Sequence, residues 1–161
     1  MVTESIVSIA KGELRLTLDV DLVIALTEQD CQKIELCFPE VEYYCPPTEV
    51  IMTSIHAPRS SFSIINHKTG MKADFFVNHN DPLHLWGLER KTRYVFGDLE
   101  FWIAPSEYVI IRKLEYFKDG GSSKHLRDFY GLVKIDDEIY MEWLLKEIES
   151  RNHTDRCLGT G

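Results

Sequence analysis

The sequence predicts an α/β (α+β) fold, with a mixed β-sheet over residues 1–103 and a helical end over residues 104–150. Apolar Val20, Leu22 and Ile24 alternate with Asp19, Asp21 and Val23, which is the period of a strand. Two further runs, Ser61 to Asn66 and Met71 to Val77, flank a turn at His67-Lys68-Thr69-Gly70 and read as a hairpin. Beyond Pro105 the apolar spacing changes to that of amphipathic helices.

In chain order, Met1-Val2-Thr3 reads as the stub of a strand, and Ser5 as the cap of a short helix ended by Gly12. After the Asp-x-Asp strand, Thr27 caps a helix whose acidic first turn suits the helix dipole. Its apolar face is Cys31, Ile34, Cys37 and Phe38, and Pro39 stops it. Pro46-Pro47 breaks the chain before a second short helix, Glu49 to His56. The hairpin follows, then a turn and short helix from Asn80 to Arg90. Two more strands, Thr92 to Phe96 and Leu99 to Ile103, meet at Gly97-Asp98. Pro105 at N1 opens a helix burying Val109, Ile110, Leu114 and Phe117. The next, Lys124 to about Val133, buries Leu126, Phe129, Tyr130 and Val133. The last, Asp137 to Ser150, turns Ile139, Tyr140, Trp143, Leu144 and Ile148 inward. Residues 151–161 lack periodicity and read as a flexible tail, so residues 1–150 are expected to form one domain.

The chain has 161 residues and a formal net charge of −8, which argues against a broad surface for coating nucleic acid. Lys91, Arg93, Arg112, Lys113, Lys118, Lys124 and Arg127 nevertheless give the second half local basic content. Four cysteines form no tight metal pair, so free thiols in a reducing cytoplasm are expected. No apolar run reaches membrane-spanning length, and Met1-Val2-Thr3-Glu4 is no secretory leader, so no membrane partner is expected.

The chemistry-bearing residues sit on the strands. Asp19 and Asp21 share a face of the first strand, and Asp74 interrupts an otherwise apolar return strand beside Lys72. Like charges on one face repel, and a buried unpaired carboxylate is costly. Two readings follow: a solvated strand end, or carboxylates arranged around a hard divalent cation.

The order of these motifs resembles the nucleotidyltransferase superfamily with the polymerase-β-like fold, and most closely its small bacterial branch near the AbiEii-like toxin transferases. The family pattern is a Gly-Ser pair, then Asp-x-Asp on a strand, then a third acid on a later strand. Here Ser5, Asp19-Val20-Asp21 and Lys72-Ala73-Asp74 fall in those roles, with Gly12-x-x-Arg15-x-Thr17-x-Asp19 as lead-in. Arg112-Lys113-Leu114 and Lys124-His125-Leu126-Arg127-Asp128 look like its C-terminal helical motifs.

The resemblance implies metal-dependent transfer of a nucleoside monophosphate from an NTP to a hydroxyl on RNA, protein or a small molecule. It implies catalytic and Mg²⁺- or Mn²⁺-binding roles for Asp19, Asp21 and Asp74. It further implies that Ser5, Lys72, Lys113, Lys124 and Arg127 contact the nucleotide phosphates, and that Asp74 lies beside Asp19 and Asp21 in one sheet. Glu4 stands where the family has glycine, placing a carboxylate and a Cβ where bare backbone should meet phosphate. A second reading is therefore a non-catalytic module of the same fold that binds a protein partner, such as one half of a toxin–antitoxin pair.

Blander roles also fit several residues. Lys113 can snorkel along an apolar helix face, and Lys124, Arg127 and Asp128 can form surface ion pairs at helical spacing. His79, Asn80, Asp81 and His84 have loose metal-ligand spacing but suit a polar loop.

Overall fold

The computed structural model describes residues 1–12, 17–121 and 123–158, except the side chains of 123–124 and 152–158. Arg15 and the side chain of Lys124 therefore lie outside the described residues. The chain divides into two compact units, Met1–Pro105 and a second that begins at Ser106, beside the expected junction of sheet and helical end.

The first unit contains α1 (Ser5–Ala10), β1 (Asp19–Ile24), α2 (Glu28–Cys37), β2 (Tyr43–Tyr44), α3 (Thr48–His56), β3 (Ser61–Asn66), β4 (Lys72–Val77), α4 (Pro82–Arg90), β5 (Thr92–Phe96) and β6 (Leu99–Ile103). Four strands form a mixed sheet in the order β1-β4-β3-β2. β1 and β4 are parallel, a pairing that needs the long crossover through α2 and α3, whereas β3 joins both its neighbours antiparallel. β5 and β6 make a separate hairpin. β2 is unanticipated, because two residues are too few to show alternation.

Residues 1–3 form the expected stub. Thr3 N–H donates to the Asp21 carbonyl at 2.8 Å, Val23 N–H to the Met1 carbonyl at 2.8 Å, and Val2 N–H to the Trp102 carbonyl at 2.7 Å. Val2 thus bridges β1 on one side and the end of β6 on the other.

Period-two alternation separates the two faces of the main sheet. Ile24, Phe75, Val77, Phe62 and Ile64 fall on one face and pack with Cys31 and Ile34 of α2, Phe38 just past its end, and Ile51, Met52 and Ile55 of α3. Phe62 and Phe75 stack across the strands with ring centres 5.1 Å apart. The intervening residues, Asp19, Asp21, Lys72, Asp74 and Ser63, therefore occupy the opposite face. α2 starts as the sequence predicts: the Thr27 N–H and hydroxyl donate to Asp30 Oδ2 at 3.0 and 2.6 Å.

The second unit holds α5 (Ser106–Gly120), α6 (Ser123–Ile135) and α7 (Met141–Leu158). α5 begins one residue after Pro105 rather than on it, and the Ser106 hydroxyl donates to the Asp136 carboxylate. Tyr108, Val109, Ile110 and Ile111 are buried on α5, Leu132 on α6 and Leu144 on α7. Tyr130 and Tyr140, expected inward, are 66 % and 61 % exposed. α7 runs past the expected helix end at Ser150 to Leu158. Arg151 pairs with Glu147 one turn back at 2.8 Å and with Glu115 of α5 at 2.6 Å, which holds this stretch in the helix.

Candidate functional site

β1 and β4 position the three acids. Their register pairs Asp19 with Lys72 and Asp21 directly with Asp74. Neighbouring strands lie about 4.8 Å apart and residues two apart along a strand about 6.6 Å, so four charged side chains mark the corners of a small rectangle. The expected adjacency of the Asp74 strand to the Asp-x-Asp strand is therefore found. Asp19 is further anchored at its backbone, where the Thr17 hydroxyl donates to its carbonyl at 2.9 Å and accepts from its N–H at 3.2 Å.

Lys72 organises the rectangle. Its Nζ lies 2.7 Å from Asp74 Oδ2 and 4.0 Å from Asp19 Oδ1. The bond to Asp74 raises the lysine pKa above its usual value; burial opposes the rise, and the charges of Asp74, Asp19 and Asp21 add to it. The other Asp74 oxygen, Oδ1, accepts the Ser63 hydroxyl at 2.5 Å. Ser63 is a site residue that motif reading missed. Counting the register back from the hairpin turn would have found it, since Ser63 pairs directly with Asp74.

Both oxygens of Asp74 thus meet donors supplied by the chain itself. Among the described residues, no group of three or more His, Cys, Asp or Glu side chains is placed to hold a metal ion. The chemistry of three carboxylates suits Mg²⁺ or Mn²⁺. Their placement does not fit one as they stand, because an ammonium rather than a common open position lies between Asp74 and Asp19.

Ser5 is the first residue of α1, and Glu4 occupies the cap position expected for Ser5. Glu4 has φ 49° and ψ −115°, a conformation that glycine adopts freely and a side chain with a Cβ resists, and its side chain makes no capping bond. The departure from the Gly-Ser pair is therefore also visible in the backbone.

Lys113 and Arg127 belong to the second unit. Lys113 is 5 % exposed and its Nζ lies 3.2 Å from Oδ2 of Asp128, itself 8 % exposed. A snorkelling lysine keeps its ammonium in water, whereas this one is buried against a carboxylate. Arg127 is exposed. Of the other basic residues, Arg93 pairs with Glu100 and Arg112 with Glu115.

The histidine-rich loop has structural roles. His79 Nε2 meets the Ser54 carbonyl at 2.9 Å, and Asp81 caps α4 by accepting from the N–H groups of Leu83 and His84 at 2.8 and 3.1 Å. A pocket of about 290 Å³ is lined by Val20, Phe38, Tyr43, Ile64, Met71 and Ala73, with Asn66, Thr69 and Lys72 completing its wall. No described helix is long and apolar enough to cross a membrane. No protein-family model matches the chain, and no curated protein matches it either.

Proposed function

We propose that this chain is a nucleotidyltransferase-like protein that moves a nucleoside monophosphate from an NTP to a hydroxyl acceptor on RNA, protein or a small molecule. The observation that supports this reading is the direct register of Asp21 with Asp74, with Asp19 and Lys72 on the same face. Strands separated by a long crossover bring three acids together where an ordinary sheet face would avoid such repulsion. Nucleotidyl transfer demands positioning and charge neutralisation above all. Asp19, Asp21 and Asp74 have the oxygen chemistry that Mg²⁺ or Mn²⁺ would take, but with the Lys72 ammonium beside Asp74 and Asp19 they do not fit such an ion as placed, so the positive charge at hand is that of Lys72.

The chain's own residues then have distinct tasks. Asp74, held by Ser63 on one oxygen, would accept the proton of an attacking hydroxyl on the oxygen that Lys72 now occupies. Lys72 carries a permanent positive charge that can neutralise a phosphate oxygen. Ser5 adds a hydroxyl at the start of α1.

A second reading, a non-catalytic module of this fold within a pair such as toxin and antitoxin, is favoured by Lys72 on Asp74 and by Glu4 in a glycine conformation. Titration calorimetry with a non-hydrolysable NTP and Mn²⁺ separates the two. Binding that disappears in the Asp19→Asn, Asp21→Asn double variant is expected for the transferase. A parent chain that binds no nucleotide would leave the partner-binding reading.

A further inference from the structure

We propose that Lys72 is the resident cation of the acid face: its ammonium holds the place a divalent ion would take, so such an ion binds only by displacing it. The inference rests on the nucleotidyltransferase reading for the expectation of a metal, and on the geometry for the occupant. The ammonium stands 2.7 Å from Asp74 Oδ2 and 4.0 Å from Asp19 Oδ1, and Asp21 faces Asp74 across the strand pair. It is delivered by the backbone, because β4 places Lys72 opposite Asp19 in register. A tethered charge acts at a high effective concentration, which a freely diffusing ion at millimolar level has to overcome.

Asp74 adds a second barrier. Its two oxygens take the Lys72 ammonium and the Ser63 hydroxyl, so a metal would have to break both contacts to use both oxygens. The Lys72 side chain is 37 % exposed and Asp74 20 %, so solvent screens this pair less than it screens Asp19, at 62 %. Without the ammonium, Asp74 and Asp19 would lose the cation that β4 supplies to them. Folding would then become linked to whatever cation is in solution. Lys72 therefore makes the β1–β4 pair independent of divalent ions.

The test compares the parent chain with Lys72→Met and Lys72→Gln, by thermal melts and by Mn²⁺ calorimetry. The parent melting temperature should not respond to millimolar Mg²⁺ or Mn²⁺. Lys72→Met should melt lower in chelator, recover stability when Mg²⁺ is added, and bind Mn²⁺ at least about tenfold more tightly than the parent. Lys72→Gln keeps a donor for Asp74 without the charge. It should show the same gain in Mn²⁺ affinity, and it carries the test if the methionine variant does not fold.

A parent chain stabilised by divalent ion as strongly as the variants would overturn the inference while leaving the transferase reading standing. Variants that bind Mn²⁺ no better than the parent would overturn it too. The transferase reading fails separately, if the parent binds no Mn²⁺–NTP analogue while the Lys72 variants still gain Mn²⁺.

Discussion

Replacing Glu4 by glycine should make the protein more stable. Glu4 holds φ 49° and ψ −115° at the entry to α1, with no capping bond from its side chain. A non-glycine residue held in such a region costs on the order of 1–3 kcal/mol. Glycine removes that cost but loses more conformational freedom on folding, a penalty of about 0.5–1 kcal/mol. The difference spans about 0–2.5 kcal/mol and centres near 1, which for a unit of this size raises the melting temperature by several degrees. Urea titration of the parent, Glu4→Gly and Glu4→Gln measures it. Glu4→Gln keeps the Cβ and loses only the charge, so it should stay close to the parent. The same variants report on the proposed nucleotide site. If phosphate approaches the start of α1, removing a like charge within a few ångströms is worth about 1–4 kcal/mol, about a fivefold to nearly thousandfold gain in Mg-NTP affinity. Equal stability of the glycine and glutamine variants would refute the strain argument, and unchanged affinity in both would refute the placement of phosphate beside Glu4.

Within the second unit, Lys113→Met leaves Asp128 buried without its ammonium and should destabilise by about 3–5 kcal/mol in chemical denaturation, while Lys113→Met with Asp128→Leu should recover most of the loss. Asp30 is held below the usual carboxylate range by hydrogen bonds from Lys33 and Thr27. Its contribution is therefore present above the ordinary pKa of 3.8 and lost as pH falls below it, so Asp30→Asn should flatten the acid limb of a stability–pH curve. Ile51→Ala opens a cavity where α3 meets the apolar sheet face and should cost about 2–5 kcal/mol in urea titrations.

Periodicity and punctuation along the chain determine most of the elements by themselves. The bounds of β3, β5 and β6 follow from alternation and turn residues, and α2 from Thr27 at one end and Pro39 at the other. The sequence likewise singled out Asp19, Asp21, Lys72 and Asp74, because charge inside an alternating strand is conspicuous without any coordinates. What alternation cannot express is which strands become neighbours. The parallel pairing of β1 with β4 sets Asp21 against Asp74, and the same register sets Lys72 between the acids and Ser63 behind them. A metal site and a lysine-neutralised face share one local pattern, and only cross-strand distance separates them. Lys113 makes the same point on a helix. Its spacing allowed it to snorkel or to reach phosphate, and packing beside Asp128 buried it, because a charge leaves water only where another chain segment supplies its counter-ion.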